Sequence, residues 1–261
     1  MGRLDGRVAV VTGGAQGLGE GIVRKLATEG AQVMIADLNG DKAQALATEL
    51  EGQGHSAISA TVDVADREQV KSMIARTVDR FGKLDAYFNN AGFNKPLAFL
   101  DADEDNFNAI MRVNGLGVFI GIQEAGRQMI AQGTGGKIIN TASIAGRQGY
   151  AEFAPYCASK AAVISLTQAG ARELAKHRIT VNGFAPGVVA TPLWDDLEDT
   201  MIEQGKIQAR GEFMNSFASS ILLGYVSKPQ DIAGVALFLA SPDSDYITGQ
   251  IIMAEGGMVL V

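Results

Sequence analysis

The chain has 261 residues, and its 22 basic and 29 acidic side chains give a formal charge of −7, which argues against a polyanion-wrapping protein, because such proteins carry net basic charge or a Lys/Arg stripe. Hydrophobic residues make up 47% against 20% charged, enough apolar material for a packed core, so a disordered or fibrous chain is excluded. The one cysteine, Cys157, forbids an internal disulfide and fits a reducing compartment.

Short β-branched runs alternate with longer helical patterns, which predicts an α/β fold: a doubly wound, Rossmann-type parallel sheet of about seven strands with helices on both faces. The first strand is expected at 7–11, followed by a helix with Leu18, Ile22, Val23 and Leu26 on one face and Gly30 at its end. A second strand at 32–36 precedes a helix burying Ala43, Leu46, Ala47 and Leu50, and a third strand follows at 57–64. Asp66 and Gln69 form a capping-box signature for a helix with Val70, Met73, Ile74 and Phe81 inward. Strand four is expected at 84–88, one long helix at about 104–131 and strand five at 137–141. A helix at about 155–176, strand six at 179–184, a helix at about 229–240 and strand seven at 250–253 complete the pattern.

Irregular stretches at 93–103 and about 188–228 fall after strands, where open α/β sheets bind ligands. The longer one reads as a substrate lid, because it combines helix formers with Trp194, Phe213 and Phe217; the alternative is a surface insertion with its own small hydrophobic cluster. No linker or repeat divides the chain, so 1–261 is expected to be one domain. The apolar run at 8–11 is too short for a signal-peptide core, Gly6 stands where myristoylation wants Ser or Thr, and no apolar run approaches the roughly 18 residues of a membrane span. A cytoplasmic protein without membrane or nucleic-acid partners is expected.

The first strand runs into Thr12-Gly13-Gly14-Ala15-Gln16-Gly17-Leu18-Gly19 and then a helix. Such a turn lets backbone N–H groups approach a pyrophosphate without Cβ clashes. Asp37, 20 residues after Gly17, ends the second strand, where an acid accepts hydrogen bonds from adenosine ribose hydroxyls; the alternative is an N-cap for the next helix. Asp63 and Val64 offer a carboxylate and an amide near adenine, or a simple turn. Asn89, Asn90, Ala91 and Gly92 bring small residues toward the nicotinamide half of a cofactor. Tyr156 and Lys160 share one helix face, and an ammonium beside a phenol lowers the phenol pKa and makes a base. Ser143 ends strand five, where it can donate to a reacting oxygen, and Asn114 interrupts an apolar helix stripe.

With TGGAQGLG, Asp63, NNAG, Asn114, Ser143, YCASK, Pro186-Gly187 and Thr191 in place, the chain resembles the short-chain dehydrogenase/reductase family over essentially its whole length. The segments GGKIIN, TPLW, SPDSDYITGQ and GGMV are similar to those of bacterial acetoin reductases (meso-2,3-butanediol dehydrogenases) and polyol dehydrogenases. The resemblance implies a catalytic tetrad: Tyr156 as acid/base, Lys160 binding the nicotinamide ribose and lowering the Tyr156 pKa, Ser143 holding the substrate oxygen, and Asn114 positioning a water. It also implies that Asn182, Pro186, Val188 and Thr191 lie along the nicotinamide carboxamide, that Gly187 belongs to the cofactor site, and that the assembly is a homotetramer. Many relatives carry Asp-Gly-Gly where this chain has Glu255-Gly256-Gly257.

NAD rather than NADP is expected, because Asp37 would oppose a 2′-phosphate, Leu38 is not Arg, and Gln16 replaces the Lys or Arg often found before Gly17 in NADP-preferring relatives. No metal is assigned. The expected reaction interconverts a secondary alcohol and a ketone on a small vicinal diol, hydroxyketone or sugar alcohol. Gln148, Glu152 and Asn94, set among Phe93, Phe153 and Trp194, are candidates to read the substrate; for Glu152 the alternative is a solvated loop carboxylate. A hydroxysteroid or other bulky alcohol is the second substrate class, and a non-catalytic dinucleotide sensor or scaffold subunit is the reading from another class.

Overall fold

The structure, a computed structural model, describes residues 2–260. Among them, seven parallel strands form one sheet: β1 (Val8–Thr12), β2 (Gln32–Asp37), β3 (Ala57–Thr61), β4 (Ala86–Asn89), β5 (Gly136–Thr141), β6 (Ile179–Pro186) and β7 (Ile251–Ala254). Their order is β3-β2-β1-β4-β5-β6-β7. The helices are α1 (Gly17–Thr28), α2 (Gly40–Gly52), α3 (Arg67–Phe81), α4 (Glu104–Met111), α5 (Gly117–Gln132), α6 (Ala154–Leu174), α7 (Pro192–Glu203), α8 (Glu212–Ala218) and α9 (Pro229–Ala240).

Strand side chains alternate between two cores, which is why the strands read as unbroken apolar runs rather than alternating ones. Ala9, Val11, Val33 and Ile35 pack with Ile22 and Leu26 of α1, Leu46 of α2 and Leu237 of α9. Val10, Met34 and Ala36 face the other way, against Met73 of α3, Val118 and Met129 of α5 and Ile164 of α6. Strand order reverses between β1 and β4, so the loops after these two strands part and leave a crevice at their carboxyl ends. No helix among the described residues is long and apolar enough to cross a membrane.

Three departures from the sequence pattern have local causes. Strand three stops at Thr61 rather than 64, because Asp63 turns the chain: its carbonyl accepts from Asp66 N at 3.0 Å and its carboxylate from Ala65 N at 2.9 Å. Asp66 caps α3 as expected, but the Gln69 side-chain Oε1 accepts from the Asp63 N–H at 2.9 Å instead of from the Asp66 N–H. The expected long helix is interrupted by a π-turn at Arg112–Leu116 between α4 and α5, an insertion that often marks a functional site. The stretch at 188–228 holds α7 and α8, and its base is tied by a bridge between Val189 and Ser227. Val261 lies outside the described residues.

Candidate active site

A cavity of about 490 Å³ occupies the crevice, bounded at one end by Asp37, Leu38, Asp63 and Val64 and at the other by Ser143, Tyr156 and Lys160. Between them lie Gly13, Gln16, Gly17, Leu18 and Gly19 on one wall and Asn90, Ala91 and Gly92 on the other. Gly13 and Gly17 adopt φ of 60° and 55°, a left-handed conformation that favours glycine. A Cβ on Gly19 would lie 1.9 Å from the Gly13 carbonyl oxygen, so the turn closes on itself only with glycine there. Gln16, the N-cap of α1, makes no side-chain cap, which leaves first-turn N–H groups of α1 available to an anion; its Oε1 accepts instead from Lys42 Nζ at 2.7 Å.

Asp37 is not the N-cap of α2; Asn39 is, accepting from Lys42 N at 3.0 Å. The Asp37 carboxylate accepts from Ala15 N at 3.0 Å and Asn39 N at 2.9 Å, so it is held rigidly beside the glycine turn. Asp63 lines the cavity while also closing its own turn and pairing with Arg112 at 3.0 Å. Asn90 fastens the two loops together: its Nδ2 donates to the carbonyls of Thr12 and Gly13, both at 3.1 Å. An uncapped helix N-terminus, a glycine turn and an acid at the far end fit a nicotinamide dinucleotide laid along the crevice.

At the inner end, Lys160 is 4% exposed and its Nζ donates to the Thr141 carbonyl at 2.8 Å. Burial lowers its pKa to about 8. The same Nζ stands 5.6 Å from the centre of the Tyr156 ring. Burial pushes the Tyr156 phenol up to about 12, and the Ser143 hydroxyl facing it pulls the other way. Lys160 Nζ is thus bonded to a carbonyl and lies over the phenol ring, with burial the largest influence on the phenol itself. Ser143 Oγ accepts from Ala145 N at 3.1 Å, which leaves its own proton for another oxygen.

Asn114 sits in the π-turn, fully buried. Its Oδ1 accepts from Phe93 N and its Nδ2 donates to Phe93 O, both at 3.0 Å; Nδ2 also donates to Ser159 Oγ at 3.1 Å, and that hydroxyl in turn donates to Tyr156 O at 2.7 Å. This side chain thus ties the loop after β4 to the helix that carries Tyr156 and Lys160. Over the inner end, Tyr150, Phe153, Trp194, Phe213 and Phe217 gather with Leu197 and Met201 into an aromatic cluster. The Glu198 carboxylate, buried within α7, accepts from the N–H groups of Gly211, Phe213 and Met214 at 2.6, 3.0 and 2.9 Å and so fixes α8 against α7.

The family model described as short chain dehydrogenase matches residues 7–202. The chain belongs to the short-chain dehydrogenases. It is 39% identical to a diacetyl reductase [(S)-acetoin forming] of Staphylococcus epidermidis, over 97% of this chain and 98% of that protein. It is 42% identical to an L-2,3-butanediol dehydrogenase of Corynebacterium glutamicum, over 97% and 98%, and 38% identical to a sorbitol dehydrogenase of Cereibacter sphaeroides, over 98% of each. A short-chain type dehydrogenase/reductase from Mycobacterium marinum superposes with a TM-score of 0.90 at 36% identity, covering 99% of this chain and 97% of that one. The chain is accordingly an oxidoreductase of alcohols and ketones that uses a nicotinamide dinucleotide.

Within this dehydrogenase, Pro186, Gly187, Val188, Thr191 and Trp194 line the cavity as the sequence leads one to expect, whereas three residues do not. Asn182 is buried in β6, where its Nδ2 donates to Ile247 O at 2.7 Å and its Oδ1 accepts from Gln250 N at 3.1 Å; it joins β6 to the segment leading into β7. Gln148 is exposed and donates to the Tyr150 hydroxyl at 2.7 Å. Glu152 is half-buried and pairs with Lys206. Neither lines the cavity, so the expectation that they read a second substrate hydroxyl is corrected. Sequence reasoning overlooked Tyr150 and Leu197 in the lining. For Leu197, the spacing of three from Trp194 on a helix is an available signal.

Proposed function

We propose that this dehydrogenase is NAD-dependent and interconverts small vicinal diols, or sugar alcohols, with the corresponding hydroxyketones or ketoses, in the cytoplasm and as a homotetramer. The observation that carries the reading is the convergence of Ser143, Tyr156 and Lys160 at one end of a crevice whose other end presents the Asp37 carboxylate. A bound nicotinamide dinucleotide supplies the hydride acceptor for oxidation and the donor for reduction. Ser143, its oxygen already accepting from Ala145 N, donates to the substrate oxygen. Tyr156 takes the hydroxyl proton in oxidation and returns it in reduction. Lys160 holds positive charge beside the phenol ring and offers donors to ribose hydroxyls, and Asn114 keeps the loop bearing Phe93 against the catalytic helix, with the water relay that the family resemblance implies running past it.

The segment at 188–228 acts as the lid of a single domain, its aromatic cluster excluding water above Tyr156. Similarity to acetoin, butanediol and sorbitol enzymes supports small polyhydroxylated substrates. The apolar wall of Phe93, Phe153, Trp194 and Phe217 favours the competing reading, a hydroxysteroid or other bulky alcohol. A panel of butane-2,3-diol stereoisomers, acetoin, sorbitol and hydroxysteroids, followed by NADH absorbance, separates them. We expect turnover on the diols and polyols, and the reading fails if only the steroids react.

For the assembly, Phe107 of α4, Leu116 of the π-turn and Phe119 and Ile130 of α5 are exposed apolar side chains that suit a partner subunit. The outer face of α6 exposes small residues, including Ala158, Ala161 and Ala169. Light scattering should report four chains per particle, and a stable, active monomer would contradict the tetramer.

A further inference from the structure

Apolar burial holds α8 only weakly. None of its residues is buried, and the rings of Phe213 and Phe217 are only partly covered in the aromatic cluster. The ion pair of Arg210 with Asp199, just ahead of α8, is about half exposed on both sides, and such pairs contribute little. The firmest anchor is the Glu198 carboxylate of α7. It is 2% exposed, and three backbone N–H groups converge on it, Gly211 on Oε2 and both Phe213 and Met214 on Oε1. The two ion pairs of the lid, Lys206 with Glu152 and Arg210 with Asp199, use other carboxylates. Apolar packing would hold two helices together without desolvating a charge; what three amides on one carboxylate add is a single fixed arrangement.

The segment so fixed reaches the chemistry through aromatic contacts. Phe213 meets Phe153 edge-on at 5.8 Å, and Phe217 stacks on Phe153 at 6.3 Å. Phe153 in turn meets the Tyr156 ring edge-on at 6.4 Å. Phe153, Trp194 and Phe217 line the cavity, so the position of α8 governs the room left above Tyr156. The base of the lid is fixed separately: Ala190 N donates to Ser227 O at 2.9 Å, and Ser227 Oγ donates to Val188 O at 2.7 Å. The Val188 part of the cavity wall is therefore held independently of α8.

We propose that Glu198 is a positioning residue that sets the size of alcohol accepted: by fixing α8 it holds Phe213 and Phe217 over the substrate end of the cavity. The inference rests on the placing of the reaction at Ser143 and Tyr156. Glu198 does not line the cavity and acts through the rings of α8. Loosening it widens the substrate end, so a small alcohol is held less well and a bulky one gains room. The dinucleotide end is untouched.

The test compares wild type, Glu198→Gln and Glu198→Asp on butane-2,3-diol and the bulkier 1-phenylpropane-1,2-diol, with NAD. Glutamine offers one carbonyl oxygen and sets its own N–H groups against the remaining amide. For Glu198→Gln we expect kcat/KM on butane-2,3-diol to fall by about 10-fold, mostly through KM, with the preference shifted toward the bulkier diol. The NAD dissociation constant should not change. Glu198→Asp keeps both oxygens on a shorter arm, so it should fall between the other two, and it carries the test if the glutamine variant does not fold. Trp194, the only tryptophan, lies 6.1 and 5.8 Å from the Phe213 and Phe217 rings, so in Glu198→Gln its emission should move to longer wavelength and be quenched more by iodide. Combining Glu198→Gln with Phe217→Leu should cost less than the product of the two single effects, because both act through α8. An unaltered KM and size preference in both Glu198 variants, an equal loss of diol turnover and NAD affinity, or single effects that simply multiply would each overturn the inference. Tyr156→Phe, run alongside, tests the placing separately: if it stays active, the placing and the inference fall together. A wild type inactive on both diols overturns the diol reading alone, and the same comparison is then made with the smallest and largest alcohols of the panel that it does oxidise.

Discussion

Replacing Tyr156 with phenylalanine should lower kcat by about 10²- to 10⁴-fold, the usual contribution of a positioned acid/base, and leave NAD affinity close to that of the wild type. The ring stays, so the aromatic contact with Phe153 and the lid persists; only the hydroxyl that faces Ser143 is lost. Lys160→Ala should behave differently, raising the dissociation constant for NAD as well as lowering kcat, because its Nζ stands both against Thr141 and over the phenol. Stopped-flow turnover combined with calorimetric NAD titration distinguishes the two. A Tyr156→Phe variant retaining a tenth of wild-type activity would remove Tyr156 from the acid/base role.

The pH profile follows from the same groups. Burial holds the phenol protonated, with its pKa pushed up to about 12, so the form that gives a proton to a ketone prevails through neutral pH and reduction should be nearly flat there. Oxidation needs the deprotonated phenol, whose fraction grows with pH, so log kcat/KM for the diol should climb with a slope near +1. That slope should lessen above about pH 8, where Lys160 gives up its proton and the positive charge beside the ring disappears. An oxidation rate that falls as pH rises from neutrality would contradict the assignment.

The parts legible in the sequence are those fixed by local chemistry. The apolar runs around Val10 and Val181 are buried on both faces, and the glycine turn needs no distant residue to explain its conformation. The Tyr156 and Lys160 pair is legible because helical spacing alone puts both on one face. What escapes depends on contacts across the fold. The π-turn at Arg112–Leu116 shifts the helix register by one residue without disturbing the apolar pattern on either side. Glu198 looks like one more surface acid of α7 until three amides from residues 211–214 are seen on it. Glu152 is drawn toward the site by its distance of four from Tyr156, but it lies in the turn before α6, where helical spacing does not apply, and Lys206 takes its carboxylate.

Coenzyme preference should reverse in the double variant Asp37→Ser with Leu38→Arg. NADP differs from NAD by a phosphate on the adenosine ribose, and a carboxylate at that ribose faces it with like charge, a juxtaposition worth several kcal/mol. Asp37 cannot easily swing aside, because Ala15 N and Asn39 N each hold one of its oxygens. Serine removes the charge. Leu38 is 74% exposed at the rim of the cavity, so arginine can replace it without disturbing the core and can meet a phosphate with a bidentate fork. Lys42 of α2, bonded to Gln16 of the glycine turn, adds a second cation within reach of that end of the crevice. The ratio of kcat/KM for NADP over NAD should therefore rise by about 10²- to 10³-fold. Most of the change should appear in KM, because Ser143 and Tyr156 lie at the opposite end of the crevice. Adding Lys42→Met to the double variant should return part of the gain. Steady-state kinetics and calorimetric titration with both coenzymes measure it. A wild-type enzyme that prefers NADP, or a double variant with an unaltered ratio, would show that the Asp37 carboxylate does not face the ribose.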